Sequence, residues 1–107
     1  MEDVYIRSLR QYLWHILAGT KGGVTRIHIL SLLRDRPYNA NQLHEKLTLD
    51  YKTVQHHLRV LSKGNLITTD GEKSYGAMYF ISPILEDNMH LLDEIMGKIG
   101  KNELKGG

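Results

Sequence analysis

The sequence predicts a mainly α-helical fold with one small β-hairpin (α+β), arranged as a single domain over residues 1–107. Five segments carry apolar residues at the three- and four-residue spacing of one helix face. Segments 66–70 and 77–81 are rich in β-branched, aromatic and apolar residues and flank a glycine-containing loop, which is typical of a hairpin. The chain has 107 residues, 41% of them hydrophobic, which suffices for one compact core but not for two ordinary domains.

Both ends of the chain are predicted to be amphipathic helices. The first covers residues 4–18, and the glycine-rich segment 19–23 ends it as a hinge or tight connection. A second helix follows over 24–34, and Pro37 prevents its continuation. The last helix starts at a Ser-Pro pair and covers 83–99. The apolar stripes of the two terminal helices comprise Ile6, Leu9, Leu13 and Ile16 in the first, and Leu85, Met89, Leu92, Met96 and Ile99 in the last.

The segment that follows Pro37 is predicted to lead into a short helix. Residues 38–40 form either one short strand or an extended entry, and the brief helix covers 41–47. Asn39 and Asn41 are both candidates for its N-cap, because a short amide side chain accepts hydrogen bonds from the free N–H groups of the first turn.

A longer central helix is predicted from Tyr51 to Lys63. Asp50 precedes it as a cap, and Gly64 closes it at the position after the helix that glycine favours. The hairpin then completes the order helix, short helix, turn, helix, hairpin over residues 24–81. This order is that of a winged helix-turn-helix, in which the helix after the turn enters the major groove of DNA.

The polar face of the central helix is the candidate DNA-binding surface. Val54, Leu58 and Leu61 lie at i, i+4 and i+7 and must face the core, so the opposite face is directed outward. On that face Gln55 suits the N6 and N7 atoms of adenine, and Arg59 suits guanine or a phosphate. Lys52 and Thr53, near the helix start, suit phosphate. The predicted DNA-binding set is Tyr51, Lys52, Thr53, Gln55, His56, Arg59 and Lys63, with Lys73 and Tyr75 at the hairpin tip.

Two less specific interpretations stand beside this one. A polar helix face is commonly only solvated, and the hairpin tip is as readily an ordinary loop, with Asp70 and Glu72 opposing its attraction to phosphate. The charge pattern favours DNA, because residues 51–64 contain three cations and no acid, whereas 86–94 contain four acids and no Lys or Arg. His57 lies between the apolar positions of the wheel and is interpreted as a partly buried, hydrogen-bonded histidine.

The residues of the turn and central helix also carry a family resemblance. The sequence Leu-Thr-Leu-Asp-Tyr-Lys-Thr-Val-Gln-His-His-Leu-Arg-Val-Leu at 47–61, followed by Gly-Asn-Leu-Ile at 64–67, resembles the ArsR-like winged helix regulators, particularly archaeal members. The resemblance spans about 24–81. It implies a transcriptional regulator that binds double-stranded DNA and dimerises through its terminal helices.

The terminal stripes predict a homodimer. The central unit alone leaves both stripes uncovered, so packing of the terminal segments 1–18 and 83–101 across a two-fold axis would bury the apolar residues named above. It would also place two recognition helices about one DNA turn, roughly 34 Å, apart. The alternative is that both helices pack onto their own domain.

Other classes of function are less well supported by the residues. The chain has no cysteine, and its six histidines lie in no catalytic or metal-binding motif, so the sequence predicts no enzyme, cofactor or metal. The 19–23 segment lacks the spacing of a phosphate loop, and the set Asp87, His90 and Glu94 is interpreted as a solvated acidic face rather than a zinc site.

The remaining alternatives concern partners. A winged helix can also serve as a protein-interaction module. A third hypothesis is a weakly specific chromatin-type DNA binder, which the net charge of only +2 disfavours. No apolar run reaches the length of a membrane span and the first residues do not resemble a secretory signal, which predicts a cytoplasmic protein. Whether a metal or small-molecule effector exists is left open by the sequence.

Overall fold

The computed structural model describes residues 2–70 and 76–106, and the side chains of residues 2–70 and 76–99. The described helices are α1 (Val4–Ala18), α2 (Gly23–Asp35), α3 (Ala40–Leu47), α4 (Tyr51–Lys63), α5 (Pro83–Asp87) and α6 (Met89–Gly106). The strands are β1 (Tyr38–Asn39), β2 (Ile67–Thr69) and β3 (Met78–Ile81). The fold is mostly helical with a small three-stranded antiparallel sheet, a winged helix fold, as predicted. None of the described helices combines the length and the apolar character that crossing a membrane requires.

The chain divides into two compact units, of which the first comprises residues 1–27 and 88–107. Here α1 packs against α6. Asp3 caps α1 by accepting a hydrogen bond from the Ile6 N–H at 2.8 Å, and the side chains of Leu13 and Leu17 are buried. The fully buried residues of α6 are Leu91, Leu92 and Ile95. An apolar core therefore forms between the two helices within one chain.

The connection after α1 is held by a buried arginine. The Arg26 Nε donates to the Ile16 carbonyl at 3.0 Å, and its guanidinium also donates to the Thr20 hydroxyl, which itself donates to the Ile16 carbonyl at 3.1 Å. Burial lowers the pKa of Arg26, and its position opposite the last turn of α1 places a cation where helix carbonyls lack partners. The glycine-rich segment is thus a tight connection, one of the two forms that the sequence predicts.

The second unit, residues 28–87, contains the sheet and the helix-turn-helix. The sheet has the order β1-β3-β2, in which Tyr38 faces Tyr79 and Thr68 faces Phe80. Its two-residue first strand resolves the alternative that the sequence leaves open at 38–40. Ser82 is buried and caps α5, because its hydroxyl accepts from the Leu85 N–H at 3.2 Å. The core of this unit is formed by Ile29, Leu30, Leu33, Leu43, Val54, Leu58, Leu61, Leu66, Ile67 and Leu85.

The single helix predicted over 83–99 is wrong, because two helices lie there. The chain leaves helical geometry at Asn88, and the Leu91 N–H donates to the Asn88 carbonyl at 2.9 Å. Asparagine favours helix caps over helix interiors, since its side chain competes for backbone hydrogen bonds. Leu85 accordingly belongs to the core of the second unit, whereas Leu92 belongs to the core of the first.

The closing residue of α4 also differs from the prediction. Gly64 is the C-cap at φ −83°, and the residue with positive φ is Asn65 at 57°. The Leu66 N–H donates to the Leu61 carbonyl and the Asn65 N–H to the Ser62 carbonyl, both at 3.0 Å. This is a Schellman motif with asparagine in the left-handed position, which asparagine tolerates better than most residues.

Candidate nucleic-acid interface

The helix preceding the turn is fixed by a capping box. The Asn39 side chain accepts from the Gln42 N–H at 2.8 Å, and the Gln42 side chain accepts from the Asn39 N–H at 2.9 Å. Two free N–H groups at the start of α3 are satisfied in this way. Of the two predicted candidates for this cap, Asn39 is confirmed.

The turn between α3 and α4 is closed by His44. Thr48 adopts the left-handed conformation at φ 54°, and the Leu49 N–H donates to the His44 carbonyl at 3.2 Å. The His44 ring lies 2.6 Å by Nδ1 from the Leu49 carbonyl, so Nδ1 carries the donated proton. The same ring packs against Tyr51 in a T-shaped arrangement, with centroids 5.9 Å apart. His44 therefore ties the turn to the first residue of α4.

The start and the facing of α4 agree with the sequence prediction. The Asp50 carboxylate accepts from the Lys52 N–H at 3.1 Å and from the Thr53 N–H at 3.3 Å, which confirms the predicted cap. The helix covers Tyr51–Lys63, as predicted. Its buried residues are Val54, His57, Leu58 and Leu61, so the interpretation of His57 as a buried residue also agrees with the structure.

The described residues of the predicted DNA-binding set all lie on α4. Tyr51 and Gln55 are half-buried, and the exposed members of the set are Lys52, Thr53, His56, Arg59 and Lys63. Lys52, His56, Arg59 and Lys63 follow each other at steps of four, three and four, so they form one stripe, called here the basic stripe. No acidic residue interrupts this helix. Lys73 and Tyr75 lie outside the described residues.

A concave surface lies between α4 and the sheet. This α4 groove has a volume of about 690 Å³, and no Asp or Glu is present among the described residues that line it. Burial raises the pKa of the Tyr79 phenol, and the nearby Tyr51 phenol raises it further, so the Tyr79 hydroxyl stays protonated at neutral pH. The lining consists of Ala40, Tyr51, Gln55, Leu58, Arg59, Ser62, Lys63, Thr69, Gly76, Ala77 and Tyr79.

Sequence reasoning missed the sheet side of this groove. The sequence predicts Thr69, Ala77 and Tyr79 only as strand residues, since alternation along a short strand does not say which element its face meets. Thr69 Oγ1 is buried and has no hydrogen-bond partner among the described residues. The strand pairing of Thr69 with Tyr79 places these two residues side by side on the groove wall.

The predicted dimer residues fall into two classes of exposure. Leu13, Ile16, Leu85 and Leu92 are buried within one chain. The premise that the terminal stripes lack a partner in the chain is therefore wrong, because neighbouring elements already cover these four leucine and isoleucine side chains. The half-buried members of the set are Ile6, Leu9, Met89, Met96 and Ile99.

Glu94, one of the three residues of the acidic face, forms an ion pair in the first unit. Glu94 pairs with Arg10, whose Nε lies 3.2 Å from the carboxylate, and Arg10 also pairs with Glu2 at 2.7 Å. Within the part of the chain that the structure describes, no three His, Cys, Asp or Glu side chains are grouped so that they could hold a metal ion.

The fold and the helix that follows its turn define a winged helix-turn-helix. Residues 23–69 match the family model described as bacterial regulatory protein, arsR family, which supports the resemblance carried by the turn and α4. Comparison with curated protein sequences gives no significant match.

Several solved structures share this fold. Reduced HlyU from Vibrio cholerae N16961 is 18% identical with a TM-score of 0.61, and the match covers 94% of this chain and 96% of HlyU. Rv0081 from M. tuberculosis is 19% identical with a TM-score of 0.63, and the match covers 97% of this chain and 99% of Rv0081. The transcriptional regulator HlyU from Vibrio vulnificus CMCP6 is 21% identical with a TM-score of 0.61, and the match covers 87% of this chain and 94% of that HlyU. At these identities the likeness shows the fold.

Proposed function

We propose that this chain is a transcriptional regulator of the ArsR-like type that binds double-stranded DNA sequence-specifically and has no enzymatic role. The observation that carries the proposal is the basic stripe of α4, which is exposed and free of acidic residues on a helix that follows a helix-turn-helix turn. Exposed cations on such a helix suit phosphates and base edges in the major groove. The match of residues 23–69 to a regulator family supports the same function. The likeness to archaeal members stays a prediction.

The exposures on α4 suggest how the contacts divide. Arg59 belongs to the basic stripe and is exposed, so it can reach a base edge or a phosphate, whereas the half-buried Gln55 needs a closer approach of the base. Lys52 and Thr53 lie in the first turn, where the free helix N–H groups favour a phosphate. Lys63, in the last turn, is assigned to phosphate, and the hairpin wing to the backbone or minor groove.

The DNA proposal is tested by selecting bound sequences from a random duplex pool at physiological salt, followed by titration of the selected operator. Arg59→Ala and Gln55→Ala should each weaken binding by about 1–3 kcal/mol if they read bases. Arg7→Ala and Gln11→Ala remove an arginine and a glutamine from exposed positions of α1 and serve as controls that leave α4 unchanged.

The outcomes of this selection separate the candidate functions. A palindromic motif that is lost with Arg59→Ala but kept with Arg7→Ala supports the regulator. A flat sequence profile with salt-dependent binding indicates the chromatin-type binder, and an absence of DNA binding indicates the protein-interaction module. Circular dichroism of each variant verifies that the helix content is retained.

We propose further that two copies associate through the first unit. The half-buried Ile6, Leu9, Met96 and their neighbours remain partly uncovered in one chain, and Val4 and Tyr5 on α1 are 69% and 59% exposed. Apolar side chains on neighbouring helices gain from burial against a second copy. The dimer would present two α4 helices to the half-sites of a palindrome.

The dimer is tested with a pair of charge substitutions on α6. Met96→Glu places a carboxylate on a half-buried position, so it should produce a folded monomer by sedimentation and weaken binding to a full palindrome more than binding to a half-site. Leu92→Glu buries the same charge in the core of one chain and should unfold the first unit. A wild-type chain that sediments as a monomer, or a Met96→Glu chain that stays dimeric, contradicts the proposed interface.

A further inference from the structure

The α4 groove has the dimensions of a small-molecule site. Its volume of about 690 Å³ lies within the range of about 300–1,000 Å³ that is typical of ligand pockets. Such a volume holds one or two rings with their substituents. Exposed cations on a helix suffice to bind a phosphate backbone, so contact with DNA alone does not call for a concavity of this size.

The lining of the α4 groove selects for one class of ligand. Leu58 and Ala77 supply buried apolar surface, and Tyr51 and Tyr79 add two aromatic rings. Arg59 lines the same concavity as a cation, together with the neighbouring Lys63, and the described lining residues include no carboxylate. The chemistry complementary to this lining is a flat apolar body that carries a negative charge.

The sheet side of the groove carries two residues with hydroxyl groups, Thr69 and Tyr79. Thr69 Oγ1 is buried without a hydrogen-bond partner in the described part of the chain, and a buried polar group of this kind calls for an explanation such as an ordered water or a ligand. The Tyr79 phenol, whose pKa is raised by burial, remains a neutral donor at physiological pH. A carboxylate supplies acceptors for donors of this type.

We propose that the α4 groove binds a small organic anion, a ring system bearing a carboxylate, and that this anion and DNA exclude each other. The exclusion rests on the proposed function, since Gln55 and Arg59 belong both to the groove lining and to the DNA-binding set. A ligand that binds only the DNA-free protein shifts the population away from the DNA complex by mass action. The chain would then carry its effector site on the DNA-reading surface itself.

Binding is tested first on the DNA-free protein, so that the result does not depend on the DNA proposal. Benzoate and indole-3-acetate are titrated into isotopically labelled protein, and the backbone amide signals of Gln55, Thr69 and Ala77 are followed by NMR. The expected result is saturable shifts of these signals. Benzamide, which has the ring without the charge, should bind at least tenfold more weakly, and inorganic phosphate should leave the signals in place.

A matched pair of variants locates the site. Tyr79→Phe removes one hydroxyl from the groove and should weaken benzoate or indole-3-acetate binding by about fivefold. Tyr38→Phe makes the same change at the cross-strand neighbour of Tyr79, outside the groove lining, and should leave the affinity unchanged. Equal effects of the two variants, or shifts that avoid the groove, overturn the proposal.

The exclusion is tested by adding the anion to the complex with the selected operator at constant ionic strength. The expected result is displacement that follows a competitive law with the dissociation constant measured by NMR. If no NMR shifts occur from a 10-fold excess of anion over protein up to millimolar anion, the proposed site is wrong. Shifts of equal size with phosphate or benzamide also overturn the site. Groove binding that leaves DNA affinity unchanged overturns the exclusion, and a protein that binds the anion but no DNA refutes the proposed function while leaving the site in place.

Discussion

Replacing Gly23 by alanine tests the tight connection between α1 and α2. Gly23 is buried at the start of α2, and its N–H donates to the Thr20 carbonyl at 3.2 Å. A Cβ on Gly23 would lie 2.6 Å from the carbonyl carbon of Leu17 and nearer still to its oxygen. Carbon atoms at van der Waals contact are about 3.5–4.0 Å apart, so the two backbone segments would have to separate by about 1 Å.

The cost of this separation follows from what the Cβ meets. Overpacking by one methyl group usually costs about 1–3 kcal/mol when side chains can adjust. At Gly23 the obstacle is backbone, which cannot rotate away, so we expect a loss at the upper end, about 3 kcal/mol. For a domain of this size each kcal/mol lowers the melting temperature by roughly 4 °C or more, which gives a decrease of about 12 °C.

The measurement is thermal and urea unfolding followed by circular dichroism and by the fluorescence of Trp14, the sole tryptophan of the sequence. Gly97→Ala is the matched control, because a Cβ at that α6 position meets no atom within 4 Å. The control should gain about 0.5–1 kcal/mol from the higher helix propensity of alanine. A shift of about 2–3 °C corresponds to less than 1 kcal/mol at roughly 4 °C per kcal/mol. A Gly23→Ala chain that melts within about 2–3 °C of the wild type would therefore refute the close approach of these backbone segments.

Two other substitutions test the helix-turn-helix itself. Leu58→Ala removes a side chain that is 2% exposed and should lower the unfolding free energy by about 2–5 kcal/mol; a melting temperature that barely moves would mean that α4 faces another way. Asn39→Ala removes the capping box of α3 and should cost about 0.5–2 kcal/mol in urea unfolding, whereas Asn41→Ala loses only an exposed contact of 3.3 Å with Glu45 and should be nearly neutral. Equal losses in the two asparagine variants would argue against the assigned cap.

The helix-turn-helix could be predicted closely from the sequence because its signals are local. The spacing of Val54, Leu58 and Leu61 sets the buried face of α4, and Asp50 satisfies the N–H groups where the helix begins. At the other end the pair Gly64-Asn65 ends the helix whichever residue takes the positive φ. Each of these effects acts between residues at most seven positions apart, so the chain nearby contains the information needed to predict it.

The break at Asn88 could not be predicted in the same way. The apolar positions on either side of it continue at steps of four and three, so the periodicity alone favours one helix. An asparagine in a helix interior lowers helix stability only mildly. Asn88 becomes a break because the helix before it contributes to the core of the second unit and the helix after it to the core of the first. The α4 groove escaped prediction for a related reason, since it depends on how the strand residues fold back onto α4, which no local pattern specifies.

The terminal stripes show what an amphipathic pattern does and does not specify. Periodicity indicates that one face of a helix is buried, but the free energy gained per unit of apolar area is the same whether the covering surface belongs to the same chain or to a second copy. In this chain α1 and α6 cover each other at Leu13, Leu92 and Ile95. The apolar surface left to stabilise a dimer is therefore the half-buried and exposed remainder of both helices, which is smaller than the whole of the two stripes. A dimer built on that remainder should have a larger dissociation constant than one built on both stripes. Sedimentation over a dilution series measures this constant and so distinguishes the two surfaces.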